Sequence, residues 1–467
     1  MNISTTPRCT RTRSRHTDAL EIDEELFGDD GLLVAFDLFG LSGVLTQIER
    51  DPEAEVMLRR ALAILDAVVG ESDPKVARML DALSAMYANN GRFDEAEPLI
   101  RRAIAIQEAS LGGDTQAMGD CLVSLARICW KTSRLPDAVA YSRRALDIAE
   151  SRFGSEHIAT SHALDNLAVM LGESGENEEA ETLLRRELVL LEENVGTAHP
   201  LYANALSILG RLLVKQERFD EADPMLLAAL AISERTLGEN NRNVAAQLTD
   251  LAFIARMRGR MEESEARLRR ALAVAIHVYG NDHPEVAIGL MNIGISQLIT
   301  GRVDEGRAML RDALAMDLRH FGESHAATVR DFANLARASL MARDVADMGE
   351  NFARAIAASD VVYGPGHWSA AELLVERTRG LRLLGLLPDA EPIFRRTLQV
   401  AEDTLGESHP FVTRALLELA QLFQDTDRGA EAVPYRERAR TIIAAQPREV
   451  RVQYGFADDA MAGAKAS

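Results

Sequence analysis

Apolar positions along the chain fall into pairs of helical stripes separated by short polar turns. The stretch 199–238 shows the pattern most clearly. Leu206, Leu209 and Leu213 are spaced three and four apart, so they share one helical face. Gly210 sits beside that stripe, where a missing side chain lets a second helix approach closely. Arg218, Phe219 and Asp220 make a polar turn, and Asp220 is placed to cap the helix that follows. Ala222, Leu226, Ala229 and Leu230 form the inner face of this second helix. Gly238 ends it, where the backbone is expected to turn left-handed. One such pair cannot cover its own apolar faces and needs a copy of itself on each side.

The copies are present. Glycine recurs at 28, 70, 112, 154, 196, 238, 280, 322, 364 and 406, in steps of 42. Ten residues after these glycines stand Leu38, Leu80, Leu122, Leu164, Leu206, Leu248, Leu290, Phe332, Leu374 and Leu416, a column without a polar residue. Alanine dominates two further columns, 26 and 33 residues after the glycine, as at Ala222 and Ala229. Small residues facing large ones let helices settle about 8–10 Å apart. A fixed period of this kind predicts an all-α solenoid. Its ten units are 29–70, 71–112, 113–154, 155–196, 197–238, 239–280, 281–322, 323–364, 365–406 and 407–448, between tails 1–28 and 449–467.

Leu206, Leu209, Gly210, Ala222 and Ala229, with equivalents in most copies, resemble the signature of the tetratricopeptide repeat. The common form of that repeat has about 34 residues. A longer unit that opens on His-Pro is similar to the kinesin-light-chain subclass, as are the endings Glu95-Ala96-Glu97 through Gly112 and Glu391 through Gly406. The resemblance covers residues 29–448. It implies a right-handed superhelix of antiparallel helix pairs, with first helices lining a concave groove that holds a protein or peptide partner. A motor light-chain role is not expected, because that family carries a long heptad segment before its repeats and residues 1–28 do not form one.

Composition narrows the partner. The net charge is −20, which disfavours nucleic acid and anionic membrane. Cys121 and Cys129 lie eight residues apart on one helix, about 12 Å, where a disulfide needs Cα atoms within about 7 Å. With Cys9 they read as free thiols of a reducing, cytoplasmic compartment. Residues 1–28 carry Arg8, Arg11, Arg13 and Arg15, then turn acidic, with no apolar leader, and read as a disordered tail. Leu32–Leu45 is apolar but too short to span a bilayer, and reads either as a docking or self-association surface or as an atypical cap whose apolar side packs on repeat two. Repeat eight carries Met348 where alanine is usual.

Histidine recurs three residues after the glycine, at His157, His199, His283, His325, His367 and His409. One repeat separates each from the next, on the order of 10 Å, whereas zinc needs donors at about 2 Å. A helix-start role is expected instead, with no metal; proline follows His199, His283 and His409 at the first helical position. Arginine pairs such as Arg101-Arg102 and Arg185-Arg186 read as a solvated outer face. No Walker A, GxGxxG, HExxH, CxxC or GxSxG motif occurs, so neither catalysis nor a cofactor is expected.

By the resemblance, positions 8, 11, 15 and 18 after the glycine face the groove. They hold Arg78, Arg127, Arg211, Arg256, Arg330, Arg337, Arg379, Arg382 and Arg414 against Asp81, Asp120, Asp165 and Glu372, which suggests a net-positive groove. Asn166, Asn292 and Asn334 stand where related repeats bond a peptide backbone, or are simply hydrated. Phe253, Ile288, Met291, Ile295 and Leu298 make an apolar stretch, filled either by a ligand's anchor or by this chain. The candidate groove is therefore Arg127, Asn166, Arg211, Phe253, Arg256, Met291, Asn292, Ile295, Asn334, Arg337 and Arg379. The expected function is a scaffold binding a partner's peptide, acidic with an apolar anchor. The alternative is a peptide-signal receptor that changes curvature.

Overall fold

The computed structural model describes residue 17 and residues 19–47, 51–111, 115–132, 134–364 and 367–446. The chain divides into two compact units, Met1–Arg258 and Gly259–Ser467. The first contains α1 (Leu32–Gln47), α2 (Asp51–Val68), α3 (Pro74–Asn89), α4 (Phe93–Leu111), α5 (Gln116–Lys131), α6 (Leu135–Phe153), α7 (Ser161–Ser174), α8 (Asn177–Val195), α9 (Pro200–Lys215), α10 (Phe219–Leu237) and α11 (Arg242–Met257). The second contains α12 (Met261–Tyr279), α13 (Pro284–Ile299), α14 (Val303–Phe321), α15 (Ala326–Met341), α16 (Val345–Tyr363), α17 (Trp368–Leu383), α18 (Leu387–Leu405), α19 (Pro410–Asp425) and α20 (Gly429–Ala445). No strand occurs among the described residues. Within each unit, consecutive helices pack as hairpins, and each hairpin packs on the next.

The first helices of repeats two to ten start at one column, in repeat four by way of a 3-10 turn, Ile158–Thr160, that precedes α7. The column's members Asp73, Thr115, His157, His199, Asn241, His283, His325, His367 and His409 each accept a backbone N–H of the following turn on the side chain. The six histidines are thus caps, with Nδ1 accepting at 3.1–3.3 Å. Phe153, Tyr279, Phe321 and Tyr363 stack on the histidine four residues on. Asp220 is not a cap: α10 begins at Phe219, and Asp220 lies in its first turn. There it accepts from Arg258 at 2.6 Å.

The apolar columns form the cores. Leu164, Leu206 and Leu248 are at most 7 % exposed. The alanines of both small-residue columns are buried throughout. A Cβ at Gly210 would lie 2.7 Å from Leu226, so the glycine sets how closely α9 and α10 approach. Met348 fits in place of alanine because Gly380 faces it; a Cβ there would lie 2.9 Å from the Met348 sulfur. Glu187 takes an alanine place in repeat four and is 1 % exposed. It accepts from Ser161, while Asn204 donates to Asp165 at 2.8 Å. Burial, together with the other's charge, pushes the Glu187 carboxyl far above its usual range, and burial also raises Asp165, so the pair shares a proton.

Ion pairs join successive hairpins. An arginine at the turn between the two helices reaches a glutamate of the preceding repeat: Arg92 to Glu55, Arg134 to Glu97, Arg218 to Glu181, Arg302 to Glu265 and Arg428 to Glu391. In one place the polarity is reversed, with Arg307 donating to Asp344 at 2.8 Å. The arginine pairs on the second helices are therefore more than a solvated face. Arg101 and Arg185 hold those same glutamates in place, and Arg102, Arg144 and Arg186 reach acids one repeat back. Burial alone would raise Glu55, but hydrogen bonds from Arg92, Tyr87 and Arg59 outweigh it and hold its pKa at about 2.

Residues 19–27 are helical, so the disorder expected through residue 28 does not extend over them. Leu20 packs on the first core, and Glu24 pairs with Arg60 at 2.6 Å. The rest of the expected N-terminal tail, Cys9 and the tail 449–467 lie outside the described residues, apart from residues 17 and 28.

Candidate functional site

Each unit carries a cleft on the face of its first helices. In the first unit it lies between α5, α7 and α9 and measures about 240 Å³. Trp130, Val169, Ile208 and Leu212 form its floor, with Glu173, Arg211 and Lys215 around the mouth. Lys215 donates to the Gly172 carbonyl at 2.6 Å, which holds its ammonium at the rim. Lys131 sits 3.9 Å from the Trp130 ring. Arg211 is exposed, and its charge pulls against the burial that pushes the nearby Asp250 up to about 6.

The other candidates of this unit are placed differently. Arg127 is half-buried, where its charge opposes the burial that raises Asp81. Asn166 donates to His162 O at 2.7 Å, so its amide is spent on its own helix. Arg256 lies 5.0 Å from the ring of Phe253, which is 36 % exposed. Burial lowers the Arg256 pKa.

In the second unit a cleft of about 230 Å³ lies between α15, α17 and α19. Leu340, Phe352, Val375 and Leu383 line its floor, and Arg337, Arg379, Arg414, Glu372, Glu376 and Glu418 its walls. Arg337 donates to Asn334 Oδ1 at 2.8 Å and makes a two-pronged pair with Glu376 at 2.8 and 2.9 Å. Arg382 reaches Asp425 at 2.9 Å. This face is therefore charge-balanced rather than net positive. Met291 is buried in the core, so it offers a peptide no surface, and Leu298 is buried with it. Ile288 and Ile295 pack against the same core, so α13 is largely covered by its own unit. Asn292 is half-buried on that helix.

Of the predicted residues, Arg337 and Arg379 share one cleft and Arg211 lines the other. Trp130, Lys215, Glu376 and Glu418 were not singled out by sequence. A signal for the acids exists: the column of Asn166, Asn292 and Asn334 also holds Asp250, Glu376 and Glu418.

The buried thiols do not suit nucleophilic chemistry. Burial, with the charges of Asp81 and Asp120, pushes Cys121 up to about 12, and burial raises Cys129.

A tetratricopeptide repeat model matches residues 75–151, 122–193, 159–235 and 243–319, more than half of the chain. The chain belongs to the tetratricopeptide repeat family. A second tetratricopeptide repeat model matches residues 379–411. Among solved structures, this repeat protein is similar to the apo form of the quorum sensor NprR from B. thuringiensis, with 12 % identity and a TM-score of 0.53 over 81 % of this chain and 99 % of that one. It is also similar to BtubC (BKLC) from P. vanneervenii, with 24 % identity and a TM-score of 0.41 over 50 % and 91 %. A third is a Podosopora anserina putative kinesin light chain with nearly identical TPR-like repeats, at 20 % identity and a TM-score of 0.38 over 44 % and 97 %. No curated protein sequence matches. No helix among the described residues is long and apolar enough to cross a membrane.

Proposed function

We propose that this chain is a protein-interaction scaffold, and that a partner's peptide segment lies on the first-helix face of the first unit. One observation carries the reading: an open apolar floor of Trp130, Val169 and Ile208 beside the cations Arg211 and Lys215, in a chain of net charge −20. Such a cleft suits a large apolar side chain next to an acidic one. Its size, below the roughly 300–1,000 Å³ of pockets for drug-sized ligands, suits one anchoring residue rather than a closed small-molecule site.

Selection of random displayed peptides on the full chain tests this. Acidic residues beside a large apolar residue are expected to be enriched. Arg211→Glu should weaken the selected peptides at least about tenfold and flatten their salt dependence. Selected peptides that bind Arg211→Glu and Ile208→Asp as well as the parent would refute the assignment.

A second reading, a receptor whose curvature changes on binding a peptide signal, draws on an interruption of the ion-pair column. Gly349 and Leu386 stand where five other joints carry a glutamate and an arginine, and Val139 and Glu176 break the same column earlier in the chain. Small-angle scattering with and without a selected peptide separates the two readings.

A further inference from the structure

The cleft of the second unit differs in its charges. Its walls carry three arginines and three glutamates, equal in number within a strongly acidic chain. Only Arg337 and Glu376 are closed on each other by hydrogen bonds. Arg379 stands 3.9 Å from Glu418, and Arg414 stands 4.0 Å from Glu372. Those separations exceed hydrogen-bond reach, so attraction holds the groups near each other while their donors and acceptors stay open. The Arg379 and Arg414 side chains are 55 % and 47 % exposed. Glu418 Oε2 is buried without a hydrogen-bond partner, although Arg382 Nε lies 3.4 Å away. Burial, and then the charge of Glu376, raises the Glu372 pKa, which an ammonium beside it would reverse. Under these groups the floor is apolar, and Leu383 leaves 60 % of its surface to water.

A ligand of a single charge would satisfy one set of groups and leave the other set beside a like charge. A ligand bearing both charges around an apolar group satisfies both. The volume, about 230 Å³, is below that of pockets for drug-sized ligands and limits the ligand to one or two residues. We propose that this cleft binds an apolar amino acid or dipeptide with both ends free. Its carboxylate lies on Arg379 and Arg414, its ammonium on Glu372 and Glu418, and its side chain on the floor beside Leu383. This site is separate from the first unit's cleft and does not rest on the scaffold reading.

Titration calorimetry on the full chain decides it, with leucine, Leu-Leu, N-acetyl-leucine, leucinamide, N-acetyl-leucinamide and Gly-Gly as ligands. Leucine or Leu-Leu should bind, and which of them binds more tightly fixes the ligand's length. Blocking either end should weaken binding at least about tenfold, since each removes a charge-assisted bond. Gly-Gly should bind less tightly than Leu-Leu. Arg379→Gln, Glu418→Gln and Leu383→Ser should each weaken the free ligand, with helicity by circular dichroism unchanged. Arg379 and Leu383 are exposed, so their variants keep the test open if Glu418→Gln does not fold. Equal binding of free and doubly blocked leucine would overturn the proposal, as would no binding of any of these ligands at millimolar concentration. In either case the peptide selection on the first unit stands or falls by its own result.

Discussion

At the scale of single residues, the caps carry a pH dependence. His325 accepts the Ala327 amide on Nδ1 at 3.2 Å, and Thr328 Oγ1 accepts from the His325 amide in return. A ring can accept there only while that nitrogen is unprotonated. Burial, and then the charge of Arg330, holds the His325 pKa below its ordinary 6.5. The unfolded chain therefore takes up a proton that the folded ring refuses. Stability from this cap is complete above 6.5 and is lost as pH falls below it. Burial shifts His283, His367 and His409 in the same direction. His325→Ala is expected to cost about 1 kcal/mol at pH 7. His325→Asn should keep most of that stability and lose less of it between pH 7 and 5 than the parent, as read by urea unfolding at both pH values. An asparagine variant as acid-sensitive as the parent would mean that the ring is not the group that titrates.

At the scale of elements, the repeated ion pair fixes how one hairpin meets the next. Exposed pairs of this kind contribute about 0.2–1 kcal/mol each. Arg307 is worth more, because its side chain is only 11 % exposed and reaches both Asp344 and Asp347. Arg307→Glu should cost about 2 kcal/mol, between the values for exposed and buried pairs. Adding Asp344→Arg restores the polarity of the other joints and should recover at least half of the loss, as a double-mutant cycle by thermal unfolding would show. The hairpins themselves were legible in the sequence because their columns are apolar and in register. Leu38 to Leu416 and the two alanine columns describe packing that repeats without change. The joints were harder to read, since a pair such as Arg134–Glu97 spans two copies and its polarity flips at Arg307–Asp344. The clefts were harder still. Each draws on helices of three successive repeats, and its floor depends on local exceptions such as Trp130 in place of a smaller residue or Gly380 yielding to Met348. The charge of the second cleft was misjudged because the arginines were read along one stripe, while Glu376 and Glu418, which answer them, stand one position aside.

At the scale of the whole chain, each hairpin depends chiefly on its neighbours, so perturbations stay local. Glu187 offers a test. With its carboxyl raised by burial beside Asp165, the folded chain keeps a proton that the unfolded chain releases above 4.5. The pair therefore costs stability progressively as pH rises from that value upward. Glu187→Gln should remove most of this cost. In hydrogen exchange at pH 8, helices α7 to α9 should open less readily in the variant than in the parent, while the second unit is unchanged. A uniform change across both units would mean that the chain unfolds as one cooperative body. The reversed joint also governs which copies are dispensable. Excising residues 71–112 would set Glu55 against Arg134 and rebuild an attraction, whereas excising 281–322 would set Glu265 against Asp344, two anions. Removal of a whole 42-residue copy, by recombination or by design, thus rebuilds an attraction at some seams and leaves a repulsion at others, by the sign of a single side chain.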